Sequence, residues 1–184
     1  TADIDRAFAA ALWNGMPRLA ELFLQRGATV DAIDHEGRSA FAAAAVRPDP
    51  TWLDRLAAAG ADIARHGDEA ILEAAAAGRD DSVSRLIGLG VAVSRTRIGA
   101  SAIVLAANAG RVPTVRLLLE RGARLSAMPG MDDVAREGME GARAVLEEVI
   151  AHAEASRAHV DVAERAELAR LQAAHAEIVE MLGL

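Results

Sequence analysis

The side chains that could do chemistry here are histidines, carboxylates and hydroxyls, because the 184-residue chain has no cysteine and no tyrosine. His35, His66, His152, His159 and His175 are scattered along it. None stands in an H-E-x-x-H pair or a tight cluster with carboxylates, the spacings that gather ligands around one metal. His152 and His159 are seven residues apart and share a face of any unbroken helix, but two histidines are an incomplete metal site. The carboxylate pairs Asp80-Asp81, Asp132-Asp133 and Glu147-Glu148 fall at expected helix starts or on charged helices, where the helix dipole and solvent account for them. The chain has no glycine-rich phosphate loop with lysine and no G-x-S-x-G elbow. The residues therefore predict no catalytic group, no cofactor and no metal, and the chain reads as a non-enzyme.

Charge and hydropathy narrow the partners. Twenty Lys+Arg against 27 Asp+Glu give a net charge of -7 and a pI near 5.2, which works against a grip on phosphate backbones, so nucleic acid is not expected. No run approaches the roughly 18 to 20 apolar residues of a membrane helix. The first twenty residues carry Asp3, Asp5, Arg6 and Arg18 with no basic-then-apolar leader, so no membrane insertion is expected either. A cysteine-free chain fits a reducing cytosol, taken here first, and equally an oxidising periplasm or a secreted setting. The chain starts at Thr1, which fits a processed secreted protein or a piece of a longer one. An alanine- and arginine-rich composition points to a bacterial origin.

With 52% hydrophobic residues but only 3% aromatics, the apolar volume comes mainly from alanine and leucine, and both favour helices. A period organises them. Phe8, Phe41, Ile71 and Ile103 follow one another at steps of 33, 30 and 32 residues. Gly27, Gly60, Gly90 and Gly122, each closing a leucine-bearing helix, keep the same steps. Two independent markers with identical spacing define a repeat of supersecondary size. Ser39 and Ser101 occupy one position of the frame, where a hydroxyl can cap the next helix.

Residues 99–126, GASAIVLAANAGRVPTVRLLLERGARLS, carry the strongest signal. The segment resembles the ankyrin repeat: a glycine, a helix-opening Thr-Pro-Leu-His, a turn, a second helix ending Leu-Leu-Leu-Glu, and Gly-Ala-Asp-Val-Asn. Ser101, Ala102, Ile103 and Val104 replace the Thr-Pro-Leu-His, so the usual turn-bridging histidine is missing. The resemblance implies an all-α solenoid of four to five helix pairs with short hairpin loops. The expected repeats span about residues 3–36, 37–66, 67–98 and 99–129, with a degenerate fifth from 131. Residues 1–141 form this solenoid. Residues 142–184, with the capping-box spacing Asp161 to Glu164, form a C-terminal helical cap over the last apolar flank. Val160, Leu168, Leu171, Ile178 and Leu182 are its expected inner residues.

In ankyrin proteins the partner usually lies against hairpin tips and first helices, so the resemblance implies a protein-binding face here. The expected tips are residues 29–38, 62–68, 94–100 and 124–130. The first is acidic (Asp31, Asp34, His35, Glu36), the third basic with an apolar anchor (Arg95, Arg97, Ile98), and the fourth apolar (Met128, Met131). Trp13 sits in the frame position of Asn108, a variable site, and is either ligand-facing or packed in the first repeat. Trp52 falls in the place of Thr114 and is expected in the core, and Arg55 and Arg85 share a position that stacks along one side. The expected partner-binding set is Trp13, Asp34, His35, Glu36, His66, Arg95, Arg97, Ile98, Met128 and Met131, taking another protein. Such a module serves as a bacterial immunity, effector or scaffold protein. The alternatives are a regulatory fragment of a larger enzyme or receptor, and a small-molecule binder whose groove is lined by Met128, Met131 and Met139.

Overall fold

Short alanine-rich helices need side chains that tell them where to begin, and the serines of the repeat frame do so. In the computed structural model, which describes residues 2–93, 96–97, 100–123, 133–141, 143–144, 147 and 162–184, the Ser39 hydroxyl accepts the Ala42 N–H at 3.0 Å. Ser101 accepts that of Val104 at 3.4 Å. These are N-caps, satisfying amides that a helix start leaves open. Pro17 and Pro113 sit in first turns, where a missing N–H is harmless.

The described chain is mostly helical. In order come α1 (Ala2–Trp13), α2 (Pro17–Gln25), α3 (Ala40–Ala45), α4 (Thr51–Ala58), α5 (Ile63–Ala77) and α6 (Asp80–Gly88). A two-residue pair β1 (Thr96–Arg97) and β2 (Ala100–Ser101) follows, then α7 (Ala102–Asn108) and α8 (Val112–Glu120). Beyond them lie the helical residues 133–141, here α9, and α10 (Val162–Leu182). The strands pair antiparallel, Thr96 opposite Ser101 and Arg97 opposite Ala100. In the first tip a single bridge joins Ile33 to Ser39.

Contacts run in sequence: α1 packs on α3, α3 on α5 and α5 on α7, while α1, α3, α5 and α7 each also pack on the helix that follows. Phe8, Phe41, Ile71 and Ile103 lie on these four helices, and all are buried. Leu53, Val83 and Val115 form a second buried row on α4, α6 and α8. Each helix has one apolar side, and its neighbours cover it. All six residues of α3 are buried, five of them alanine, which lets the flanking helices approach closely. Trp52 lies at the edge of this core, its ring 6.0 Å from that of Phe8. Gly27, Gly60, Gly90 and Gly122 all have φ near +90°, a conformation that a Cβ disfavours, which explains why glycine closes each unit.

One expected tip is absent. Residues 62–68 form no hairpin, because α5 begins at Ile63 and the Asp62 carboxylate caps it, accepting the Arg65 N–H at 3.1 Å. The unit ending there is the shorter, 30-residue one, and the missing length comes out of the loop.

A set of arginines ties later parts of the stack to the unit before. Arg79 Nε donates to the Val46 carbonyl at 2.8 Å and Arg111 Nε to that of Ala76 at 3.1 Å. Arg170 of α10 continues the series, its guanidinium donating to the Gly110 carbonyl at 3.4 Å. On the outer side Arg55 pairs with Glu21 and Arg85 with Asp54, and Arg116 pairs with Glu177 of α10. The Arg55 guanidinium also lies 4.5 Å from the centre of the Trp52 ring.

Candidate functional site

The first tip, residues 29–38, is held from inside by one buried carboxylate. Asp34 accepts the N–H groups of Glu36 and Arg38, both at 2.9 Å. Its other oxygen takes Arg38 Nε at 2.8 Å and the terminal guanidinium nitrogen at 2.7 Å. Two guanidinium nitrogens thus share one carboxylate oxygen, a charge-assisted contact stronger than a neutral hydrogen bond. Burial pushes the Asp34 carboxyl up, but the hydrogen bonds from Arg38 and Glu36 outweigh it and hold the pKa below the ordinary value. Gly37 turns the tip with φ +80°.

Arg38 passes the constraint on. Its guanidinium lies 4.7 Å from the centre of the Trp13 ring, while Trp13 Nε1 donates to the Ser39 carbonyl at 3.2 Å. The Ser39 hydroxyl donates to Glu69 of α5 at 2.7 Å. The Thr29 N–H donates to Asp5 of α1 at 2.7 Å, and Asp31 accepts the Asp62 N–H at 2.8 Å. The tip is thus fastened to α1 on one side and to α5 on the other.

What it presents to solvent is small and mixed. Between the tip and α1 lies a notch of about 510 Å³ whose walls include Asp5, Arg6, Thr29, Ile33, Asp34 and His35. Ile33 is 40% exposed there, and His35 and Glu36 are exposed beside it. A notch with a fixed backbone, one apolar side chain and flanking charges can hold a partner's side chain at little ordering cost.

The expected site residues are distributed unevenly. Trp13, Asp34, His35 and Glu36 meet in this tip. Two of the expected set do not offer their side chains to a partner: Asp34 is buried because it organises the turn, and His66 is buried under Asp31. Arg97 lies in β1, in a second hairpin. Arg95, Ile98, Met128 and Met131 fall outside the described residues, as do His152, His159 and Val160. Of the other expected inner residues of the tail, Leu171 and Ile178 are buried and Leu168 and Leu182 are half-buried. Among the described residues no group of three or more His, Asp or Glu could hold a metal, and no helix is long and apolar enough to cross a membrane.

Sequence reasoning missed the buried histidines as interior groups. His66 Nε2 lies 3.4 Å from an Asp31 oxygen without a hydrogen bond. His175 is 1% exposed on α10, and its Nε2 meets the Asn108 carbonyl at 3.1 Å. Its place between Leu171 and Ile178 on one helix face was the available signal. Burial holds both imidazoles below their ordinary pKa, against the pull of Asp31 on His66 and of the Asn108 carbonyl on His175.

A pH dependence follows from that direction. The unfolded chain protonates its histidines near pH 6.5, whereas the folded state resists. Below about 6.5 the unfolded state binds more protons, so stability falls as pH drops. Thermal melts are expected to shift downward between pH 7.5 and 5.5, where carboxylates stay ionised. His66→Gln and His175→Gln should flatten the curve, and a wild-type melting point constant across that window contradicts the assignment.

Residues 99–128 match the family model described as Ankyrin repeat. No curated protein matches the chain.

Proposed function

Because the chain is an ankyrin-repeat protein, built on a repeat that generally serves protein–protein interaction, we propose that it binds a partner protein through its hairpin tips and the first helices beside them. The observation that carries this reading is the first tip, whose backbone is locked by Asp34 and whose Ile33, His35 and Glu36 stand exposed over a notch of about 510 Å³. Preorganised backbone with an apolar anchor and a charged rim is the pattern of an interaction hot spot. Trp13 acts from behind, under Arg38. Asp34 and His66 support the face, and His35, Glu36, Arg95, Arg97, Ile98, Met128 and Met131 belong to it.

The wider architecture proposed is a solenoid of five helix pairs. The first four take repeats at about 3–36, 37–66, 67–98 and 99–129, and the degenerate fifth begins near 131. Its first helix is α9: Ala135, 32 residues after Ile103, is fully buried. With its amide turned to satisfy both ends, Asn108 donates to the Ala135 carbonyl at 3.2 Å and to that of Val104 at 3.3 Å. α10, within the cap of residues 142–184, takes the place of the outer helix, which the Arg170 link to the turn after α7 and the Glu177 link to α8 support. An immunity, effector or scaffold role in a bacterium fits such a binder.

The test compares variants on captured partner. A protein co-purifying with the wild type should be lost with Ile33→Asp plus His35→Glu and retained with Asp81→Asn on the outer surface of α6. Charge reversal at Arg95 and Arg97 is expected to weaken the same complex at least tenfold. A partner indifferent to both tip variants overturns the reading.

A further inference from the structure

The outer side of the first unit carries apolar and charged groups that neither the core nor the tips use. Of the six large apolar side chains exposed among the described residues, Met16, Leu19 and Leu22 lie on α2 or at its N-cap, at 50%, 38% and 40% exposure. They recur at three-residue steps, which sets them along one side of the helix. Arg18 and Arg26 are exposed as well and stand four residues to either side of Leu22, so the three form a single row. Glu21 is the only carboxylate in residues 14–30, and Arg55 of α4 takes it. Among the described residues neither Arg18 nor Arg26 has an ion-pair partner.

The repeat shows which way this row faces. Leu22, Arg55 and Arg85 share one frame position, at steps of 33 and 30 residues. Arg55 reaches back to Glu21 on α2, and Arg85 reaches back to Asp54 on α4. The position therefore turns toward the N-terminal side of the stack, and what it meets there is a carboxylate on a helix. On α2 the same side is exposed, with leucine at the arginine position and an arginine one turn above and below it.

We propose that this side of α2 docks one acidic amphipathic helix of a partner protein, laid along the row. Two of its carboxylates pair with Arg18 and Arg26, and an apolar residue between them covers Leu22. Contiguous exposed apolar side chains rimmed by charge mark a protein-binding surface, and a partner helix answers anchors at this spacing. Its acidic sign follows from the unpaired arginines. Such a helix meets only charges within about one Debye length, roughly 8 Å at physiological salt. An anionic lipid surface would instead meet a molecule of net charge -7, which repels it. None of these five residues belongs to the tip face proposed above, so the two surfaces can be tested separately.

The experiment uses the full chain and a fluorescein-labelled, alanine-based peptide of about 18 residues, long enough to form a helix. It carries leucines along one side, with a glutamate one turn before and one turn after the central leucine. A second peptide has lysine for each glutamate, and a third has serine for each leucine. Fluorescence anisotropy should show saturable binding of the acidic peptide and none of the other two. Arg18→Glu with Arg26→Glu should weaken it at least tenfold, as should Leu19→Ser with Leu22→Ser. These replace exposed side chains, so the circular dichroism spectrum should stay unchanged. Absence of saturable binding, equal affinity for the lysine peptide, or unaltered binding in either double variant overturns the proposal. So does adsorption to phosphatidylglycerol vesicles in place of peptide binding, or self-association of the chain that Arg18→Glu with Arg26→Glu abolishes.

Discussion

Phe41→Ala is expected to lower folding stability by about 3–5 kcal/mol, the range for truncating a buried phenylalanine. Phe41 is fully buried, and the other five residues of α3 are alanine. It therefore supplies most of the apolar volume of a helix that packs on α1, α4 and α5 at once. Alanines around the cavity have no side-chain length with which to fill it, so relaxation recovers little. Against a total of roughly 5–15 kcal/mol for an ordinary domain, the loss takes up a large share. It should also be uneven. In a stack where each unit touches only its neighbours, weakening one link uncouples what lies beyond it. Both tryptophans, Trp13 and Trp52, lie on the N-terminal side of α5. In urea, tryptophan fluorescence of Phe41→Ala should change at lower denaturant than helical circular dichroism. Phe41→Leu, which keeps most of the volume, should cost less than about 1.5 kcal/mol. A truncation that costs under about 1 kcal/mol, with both signals moving together, refutes the role given to α3.

The periodic apolar positions were legible because packing imposes them. Phe8, Phe41, Ile71 and Ile103 must recur wherever one helix covers the next, and the closing glycines must recur wherever the chain leaves a helix left-handed. Loop length was less legible: a shortened unit can lose residues from a helix or from a tip, and only the Asp62 cap decides that α5 keeps them. Site roles were least legible of all. Asp34 and His66 have polar side chains in expected loops, which reads as exposure, yet each is buried by partners whose pairing depends on the turn. The Asp34 to Arg38 spacing was visible, whereas the stacking of Arg38 on Trp13 joins residues 25 apart. His175 answers to a carbonyl 67 residues away, a contact that no local pattern encodes. Arg79 and Arg111 share a period with Arg47, and that signal was present though the frame drew attention to glycines instead.

Asp34→Ala is expected to destabilise the chain by about 2–4 kcal/mol, because it removes the acceptor of two backbone N–H hydrogen bonds and the charge-assisted pair with Arg38 at once. The side chain is fully buried while the Arg38 side chain stays partly exposed, so solvent can take up the arginine but not the turn geometry. Without the carboxylate, the N–H groups of Glu36 and Arg38 lose the acceptor that shapes the tip, and Arg38 loses the anchor that keeps it over Trp13. Asp34→Asn separates shape from charge: it keeps one acceptor oxygen and loses the ion pair, so an intermediate loss of about 1–2 kcal/mol is expected. The pH response gives an independent check. A folded-state carboxyl pKa below the unfolded value means that this stabilisation is present above about pH 4 and is lost as pH falls through the folded value. Between pH 5 and 3 the wild type should therefore lose stability faster than Asp34→Asn, the two curves converging at the acid end. If the tip serves as proposed, Asp34→Ala should also weaken partner binding although Asp34 itself is out of reach, and Arg38→Lys, which has one terminal nitrogen where arginine places two on the Asp34 oxygen, should do so in part. Parallel pH curves for wild type and Asp34→Asn would remove the ion pair from the account of why this loop is rigid.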